Sequence, residues 1–474
     1  MMLRRFCAIA LCSALAAGLL TGCVHFQAKP VVATAALAAF ETRTLDAPGL
    51  QRFFEANHEA WVPPAKPWDL KALTLAAFYY HPDLDLARAG AAVAEAGIVT
   101  AGERPNPSVT FGPGFNSTTP LGLVTPWILT FDFDIPIETA GKRGYRQAQA
   151  RHLTDAARLN IATVAWQVRR RVRERLLDLH AAVEAEGLLV KQEEIQRENV
   201  KLLELQWSAG AVSPYEVTQA RLALASIVLA RHDAAAQQAE ARVQLAGALG
   251  VTAQAVENLP ISFDDFTRAP SEPPALEARR QALLNRADLL GALAEYAASQ
   301  AALQLEIAKQ YPDIHLGPGY QMDQAENKWT LGLSSVLPVF NRNRGAIGEA
   351  DARRTEAASR FVAVQARAIG DVELAVASSR AAREKVATID AMMVDLTRQE
   401  QTAERLLKAG EISKLDLGTT QLQLYLGALA RLEAQVRVQR ALGDLEDAMQ
   451  RSVELPTWLT TVPQRDAGAI RERD

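Results

Sequence analysis

The side chains able to carry chemistry in this 474-residue chain are scattered, not gathered. His58, His81, His152, His180, His232 and His315 stand far apart, and no Cys, His or Met cluster has metal-ligand spacing. No phosphate loop, zinc signature or nucleophile elbow is present. The residues therefore argue against an enzyme and give no reason to expect a metal or another cofactor. Two charged features remain. Asp132, Asp134 and Asp313 punctuate apolar segments, where they could line a polar surface. The run Arg169-Arg170-Arg171-Val172-Arg173-Glu174-Arg175 could bind an anion, but on a helix its side chains spread over several faces, and pairing with acids of a neighbouring helix is the simpler expectation. With 49 % hydrophobic residues and a net charge of −4, the chain can bury large surfaces and lacks the basic face of a nucleic-acid binder.

One residue invites covalent chemistry. Arg4 and Arg5 precede the apolar run Phe6–Leu19, which is short for a bilayer span and reads as a signal peptide over 1–22. It ends in Leu20-Thr21-Gly22-Cys23, which looks like a bacterial lipobox and would leave Cys23 as a lipidated first residue. An ordinary signal peptide with an incidental cysteine is the alternative. Cys7 and Cys12 would leave with the signal, so no intramolecular disulfide is expected. Val24, not an aspartate, follows Cys23; in lipoproteins that implies sorting to the outer membrane.

Two long helical hairpins must position everything else. The first is expected from about Arg146 to Leu249, turning at Ala209-Gly210-Ala211-Val212-Ser213-Pro214. The second is expected from about Ile347 to Met449, turning at Ala409-Gly410-Glu411-Ile412-Ser413-Lys414. Ile161, Val164, Val168, Val172, Leu176, Leu179 and Val183 step by three and four, giving one apolar stripe. An arm of about 60 residues would reach about 90–100 Å. Gly210 and Gly410 suit the left-handed position past a helix end, and Ser213 and Ser413 suit the N-caps of the returning helices. Ser213 with Glu216 reads as a capping box, and Val212/Val217 and Ile412/Leu417 have staple spacing.

Four segments switch to a period of two. Val109–Phe115, Trp127–Ile137, Ile314–Met322 and Trp329–Leu337 alternate apolar residues with Thr, Gly, Asp, His and Gln. Each has the length of a tilted membrane strand, and Phe115, Trp127, Tyr320 and Trp329 flank the intervening loops as an interfacial belt would. Each half thus reads helix, strand, strand, long helix, turn, helix. The resulting organisation is an N-terminal segment 23–67, a first repeat 68–250, a linker or equatorial segment 251–274, a second repeat 275–450 and a tail 451–474. Helices are expected over Trp68–Ala101, restarting at His81-Pro82-Asp83, and over Ala275–Lys309.

Four strands cannot close a barrel, and lipid tolerates no open edge, so sister chains must supply the missing neighbours. A periplasmic adaptor would need only one hairpin, and a structural lipoprotein would not need lipid-facing alternation; these are the rival readings.

In order and repetition, the Ala-Gly-x-[Val/Ile]-Ser turns, the parallel Pro107–Phe115 and Pro312–Tyr320 strands, and the exits Ile135-Pro136-Ile137 and Leu337–Gly345 resemble outer-membrane efflux channels of the TolC type. The resemblance implies a mainly α fold with membrane β: a trimeric β-barrel, four strands per chain, continued by a long α-helical periplasmic barrel with internal duplication. It implies a passive efflux conduit in the outer membrane, docked to a periplasmic adaptor and an inner-membrane pump of the resistance–nodulation–division type. By that resemblance Gly210, Val212, Ser213, Gly410, Ile412 and Ser413 are the adaptor-contacting tips, and Asp416 lines the aperture gate. Thr419 stands where the family has a second aspartate. The Pro338–Gly345 exit looks most like the heavy-metal branch, cobalt–zinc–cadmium or copper–silver efflux, with drug efflux as the rival.

Overall fold

The structure is a computed structural model, and it describes residues 26–118, 124–267, 275–324 and 326–450. The signal segment, Cys23 and the tail 451–474 lie outside the described residues. Contacts divide the chain into two units, 1–43 and 44–474. The described part of the first carries helix α1, Ala33–Glu41, none of whose residues is buried.

The second unit begins with an aromatic core. Helix α2 (Pro48–Ala56) starts on a proline, whose missing N–H is no loss in a first turn, and buries Leu50, Phe53 and Phe54. Phe54, Trp61 and Trp68 meet edge-to-face with centroids 5.3 to 6.0 Å apart. Asp69 caps α3 (Leu70–Tyr80) by accepting from Ala72 N–H at 2.7 Å. The chain then restarts at Pro82 as expected, and His81 caps α4 (Pro82–Gly102).

Strands β1 (Ser108–Phe115) and β2 (Trp127–Ile137) lead into α5, Lys142–Ser208, whose 67 uninterrupted residues span roughly 100 Å. Helix α6 (Pro214–Leu249) returns along it. The segment after α6 is no loose linker over its described residues. Val251, Val256, Leu259 and Phe266 are buried in the main core, and Trp68 bridges to Ile261 through Trp68 N–H to Pro260 O and Ser262 N–H to Trp68 O, both 2.9 Å. Glu257 and Asp264 are exposed while the few apolar residues face in, a pattern too sparse to carry a period.

The second half repeats the order, with one difference from expectation. Instead of one helix over Ala275–Lys309 there are two, α7 (Ala275–Asn285) and α8 (Ala287–Ala308), broken at an extended Arg286. The Arg286 guanidinium forks onto Asp288 at 3.0 and 2.8 Å and reaches Ala448 O at 3.2 Å, so tertiary bonds take over where no proline marks the break. The break mirrors His81-Pro82-Asp83 of the first half. Strands β3 (Ile314–Asp323) and β4 (Glu326–Ser335), helix α9 (Arg344–Ala409) and helix α10 (Lys414–Met449) complete the unit.

The four strands form one antiparallel sheet in the order β1-β2-β3-β4. Register places Val109 opposite Phe133, Phe111 opposite Phe131, Phe131 opposite Tyr320, Leu316 opposite Leu333 and Tyr320 opposite Trp329. Residues directly opposite share a face, so the apolar sets of all four strands merge into one continuous apolar face. The main helical core is built from Leu176, Leu177 and Leu179 of α5, Leu245 and Leu249 of α6, and the buried face of α3. Each fully buried leucine of this kind contributes about 1.5–3 kcal/mol.

Candidate functional site

The two hairpin turns share one backbone. At the first, Gly210 has φ 74° and Ala211 N–H donates to Gln206 O at 2.8 Å; at the second, Gly410 has φ 78° and Glu411 N–H donates to Leu406 O at 3.0 Å. Both are Schellman closures that use glycine in the left-handed region. Ser213 and Ser413 then cap the returning helices as expected. The full capping box, however, belongs to the second turn. Ser413 N–H donates to Asp416 Oδ2 at 2.9 Å while Asp416 N–H donates to Ser413 Oγ at 3.2 Å. Glu216 instead accepts from the Ser213 hydroxyl at 3.2 Å, so the box expected at Ser213 is only half made. The Ser413 hydroxyl and N–H together hold the exposed Asp416 carboxyl below its usual value.

With equal backbones, the turns differ in chemistry. The first exposes Leu205, Trp207 and Tyr215. The second exposes Lys408, Glu411 and Lys414. Val212 and Ile412 are half-buried at the two bends.

Behind the second turn, α10 runs against α5 through glycines. A side chain at Gly418 would collide with Asn199, and one at Gly443 with Arg173. Mid-helix glycines weaken a helix, so their presence in the sequence was the available signal of close approach. The basic run of α5 meets α10 along the same seam. Arg169 pairs with Glu446 at 2.6 Å, both buried, and Arg173 donates to Gln439 O at 2.6 Å. Arg170 pairs with Glu174, Asp444 and Asp447 at 2.8, 3.1 and 3.1 Å, and Arg171 pairs with Asp83 at 2.6 Å. The run is thus consumed by structural pairs. Asp447 is the exception in kind: burial outweighs its arginine neighbours and pushes its carboxyl up to about 7. Sequence reading gave no sign of Glu446, Asp447 or Gln439, because their partners lie on a helix more than 260 residues away.

On the sheet, Asp132 and Asp134 occupy the polar face, and His315 Nδ1 lies 2.9 and 3.1 Å from the two Asp134 oxygens. Asp313 does not join them. It stands just before β3, where it pairs with Lys142 at 2.7 Å and accepts Thr139 N–H at 2.9 Å. Aromatic pairs Phe115–Trp127 and Tyr320–Trp329, 5.2 and 4.8 Å apart, close the loop end of the sheet. Among the described residues no group of three or more His, Cys, Asp or Glu could hold a metal ion, and no helix is long and apolar enough to cross a membrane.

A sheet apolar on one face and polar on the other, fed by two duplicated hairpins, matches known proteins. The sequence profile of the outer membrane efflux protein family covers residues 77–251 and 278–450. The cobalt-zinc-cadmium resistance protein CzcC of Cupriavidus metallidurans is 26 % identical over 324 residues, 66 % of this chain and 77 % of that protein. The pyoverdine export outer membrane protein OpmQ of Pseudomonas putida is 26 % identical over 323 residues, 64 % of this chain and 67 % of that protein. The solved outer-membrane channel OprN shares the fold, with a TM-score of 0.66 over 92 % of this chain and 99 % of that one at 17 % identity. The chain belongs to the outer membrane efflux protein family and is an efflux channel subunit of the outer membrane that extends into the periplasm.

Proposed function

We propose that three copies of this chain form a conduit that passes metal cations from a periplasmic adaptor and an inner-membrane pump of the resistance–nodulation–division type to the exterior. The observation that carries assembly from several copies is the sheet: its apolar face is continuous, yet β1 and β4 each keep an unpaired edge that only another chain can satisfy in lipid. The metal assignment is supported by the likeness to CzcC. A second reading, export of an organic substrate such as pyoverdine, is favoured by the likeness to OpmQ. A deletion strain challenged with cobalt, zinc and cadmium should become sensitive; normal tolerance of all three would leave the organic substrate.

In the same reading Cys23 carries the lipid anchor, and the tips Gly210, Val212, Ser213, Gly410, Ile412 and Ser413 meet the adaptor. Asp416 forms one point of an acidic ring at the periplasmic aperture, where a narrow negative constriction would favour cations. Its charged form is the one its cap favours. Asp416→Ala should raise the conductance and lower the cation preference of purified channels in planar bilayers; unchanged values would remove the gate role.

A further inference from the structure

The two strand-to-helix exits are unlike each other. After β2 the chain is tied down: Thr139 N–H and Oγ1 donate to Asp313 and to Pro312 O at 2.9 and 2.7 Å, and Lys142 donates to Tyr311 O at 2.6 Å. After β4 the chain is held only at its ends, by Ser335 Oγ to Asp313 O at 3.1 Å and by Asn343 Nδ2 to Glu306 O at 2.8 Å. Among the described residues no hydrogen bond ties 336–340 to another element; Val339 N–H closes locally on Leu337 O at 2.8 Å. Yet this stretch is apolar and open: Val336, Leu337, Val339 and Phe340 are 76, 73, 65 and 102 % exposed. Arg342 and Arg344 follow, both exposed and neither in an ion pair among the described residues.

We infer that residues 336–344 form a membrane foot: Val336, Leu337, Val339 and Phe340 enter the periplasmic leaflet of the outer membrane, and Arg342 and Arg344 bind anionic phospholipid headgroups there. Three observations favour lipid over other occupants. The stretch continues the apolar lane of β4, in which Trp329, Leu331 and Leu333 already lie on the face that the outer-membrane sheet turns to hydrocarbon. Pro338 lacks an N–H and Val339 spends its own locally, so Val336, Leu337 and Phe340 are left with an N–H that water at the membrane interface can satisfy while their side chains enter the leaflet. Two cations directly behind an apolar stretch match an anionic interface.

The inference rests on the sheet lying in lipid, and the test separates the two. p-Benzoyl-phenylalanine is placed at position 340, at 331 on the apolar face and at 330 on the polar face of the full chain. Each protein is reconstituted in vesicles of phosphatidylethanolamine and phosphatidylglycerol and irradiated. Lipid adducts are expected at 331 and 340 but not at 330. A covalent dimer at 340, or no lipid adduct there while 331 gives one, would overturn the foot alone. No adduct at either 331 or 340 would overturn the membrane placement of the sheet along with it. The double variant Arg342→Gln, Arg344→Gln should lower the adduct yield at 340 severalfold, as should replacing phosphatidylglycerol with phosphatidylcholine. An unchanged yield would overturn the headgroup contact.

Discussion

Asp447 turns a packing detail into a pH response. Its carboxyl lies between Arg169, Arg170 and Glu174 of α5 and Asp444 and Glu446 of its own helix, and burial raises it from 3.8 to about 7. The unfolded chain ionises this group near 3.8, so it releases the proton that the fold retains. The stabilisation is complete below 3.8 and is lost as pH rises toward and through about 7. Asp447→Asn should therefore flatten the fall in melting temperature between pH 5 and 8 and raise it at pH 8. An identical pH slope in the variant would mean that this carboxyl is ionised throughout. The arginines around it were visible in the sequence, and so was the argument that they would pair; which acids they pair with was not, because the contact joins helices from opposite halves.

The turns and seams belong to the scale of the element. Ser413 makes a full capping box and Ser213 half of one. Ser413→Ala should cost about 1 kcal/mol, with Ser213→Ala costing less. Hydrogen exchange in the first turns of α10 and α6 measures both, and equal effects would contradict the asymmetry. Gly418 lets α10 close on Asn199. Gly418→Ala should wedge the two helices apart near the tip and enlarge channel conductance, and adding Asn199→Ser should restore part of the original value. No change in conductance would show that this contact does not set the aperture. Both turns and all four strands were legible, because glycine, serine and a period of two are local signals. The break at Arg286 was not, since its cause is a guanidinium bonded to Asp288 and to Ala448 O. Nor was the packing of 251–267, where a few apolar residues reach back to Trp68.

For the molecule as a whole, the two faces of the sheet divide tolerance to charge. Phe131 lies mid-strand on the apolar face, and Thr130 beside it points the other way. Phe131→Arg should lose about 2–4 kcal/mol of membrane stability and fail to accumulate in outer-membrane fractions, while Thr130→Arg should accumulate normally. The opposite outcome would mean that the faces are assigned the wrong way round, and similar behaviour of the two variants would mean that neither face meets lipid. The halves meet in that same sheet through β2 and β3, and the pair Asp134–His315 joins residues 181 apart in the chain. Contacts between such distant residues form late, after the local hairpins have closed. During transit through the periplasm the hairpin within each half can therefore mature while the greasy ribbons stay unassembled, and insertion is postponed until β3 and β4 have been delivered.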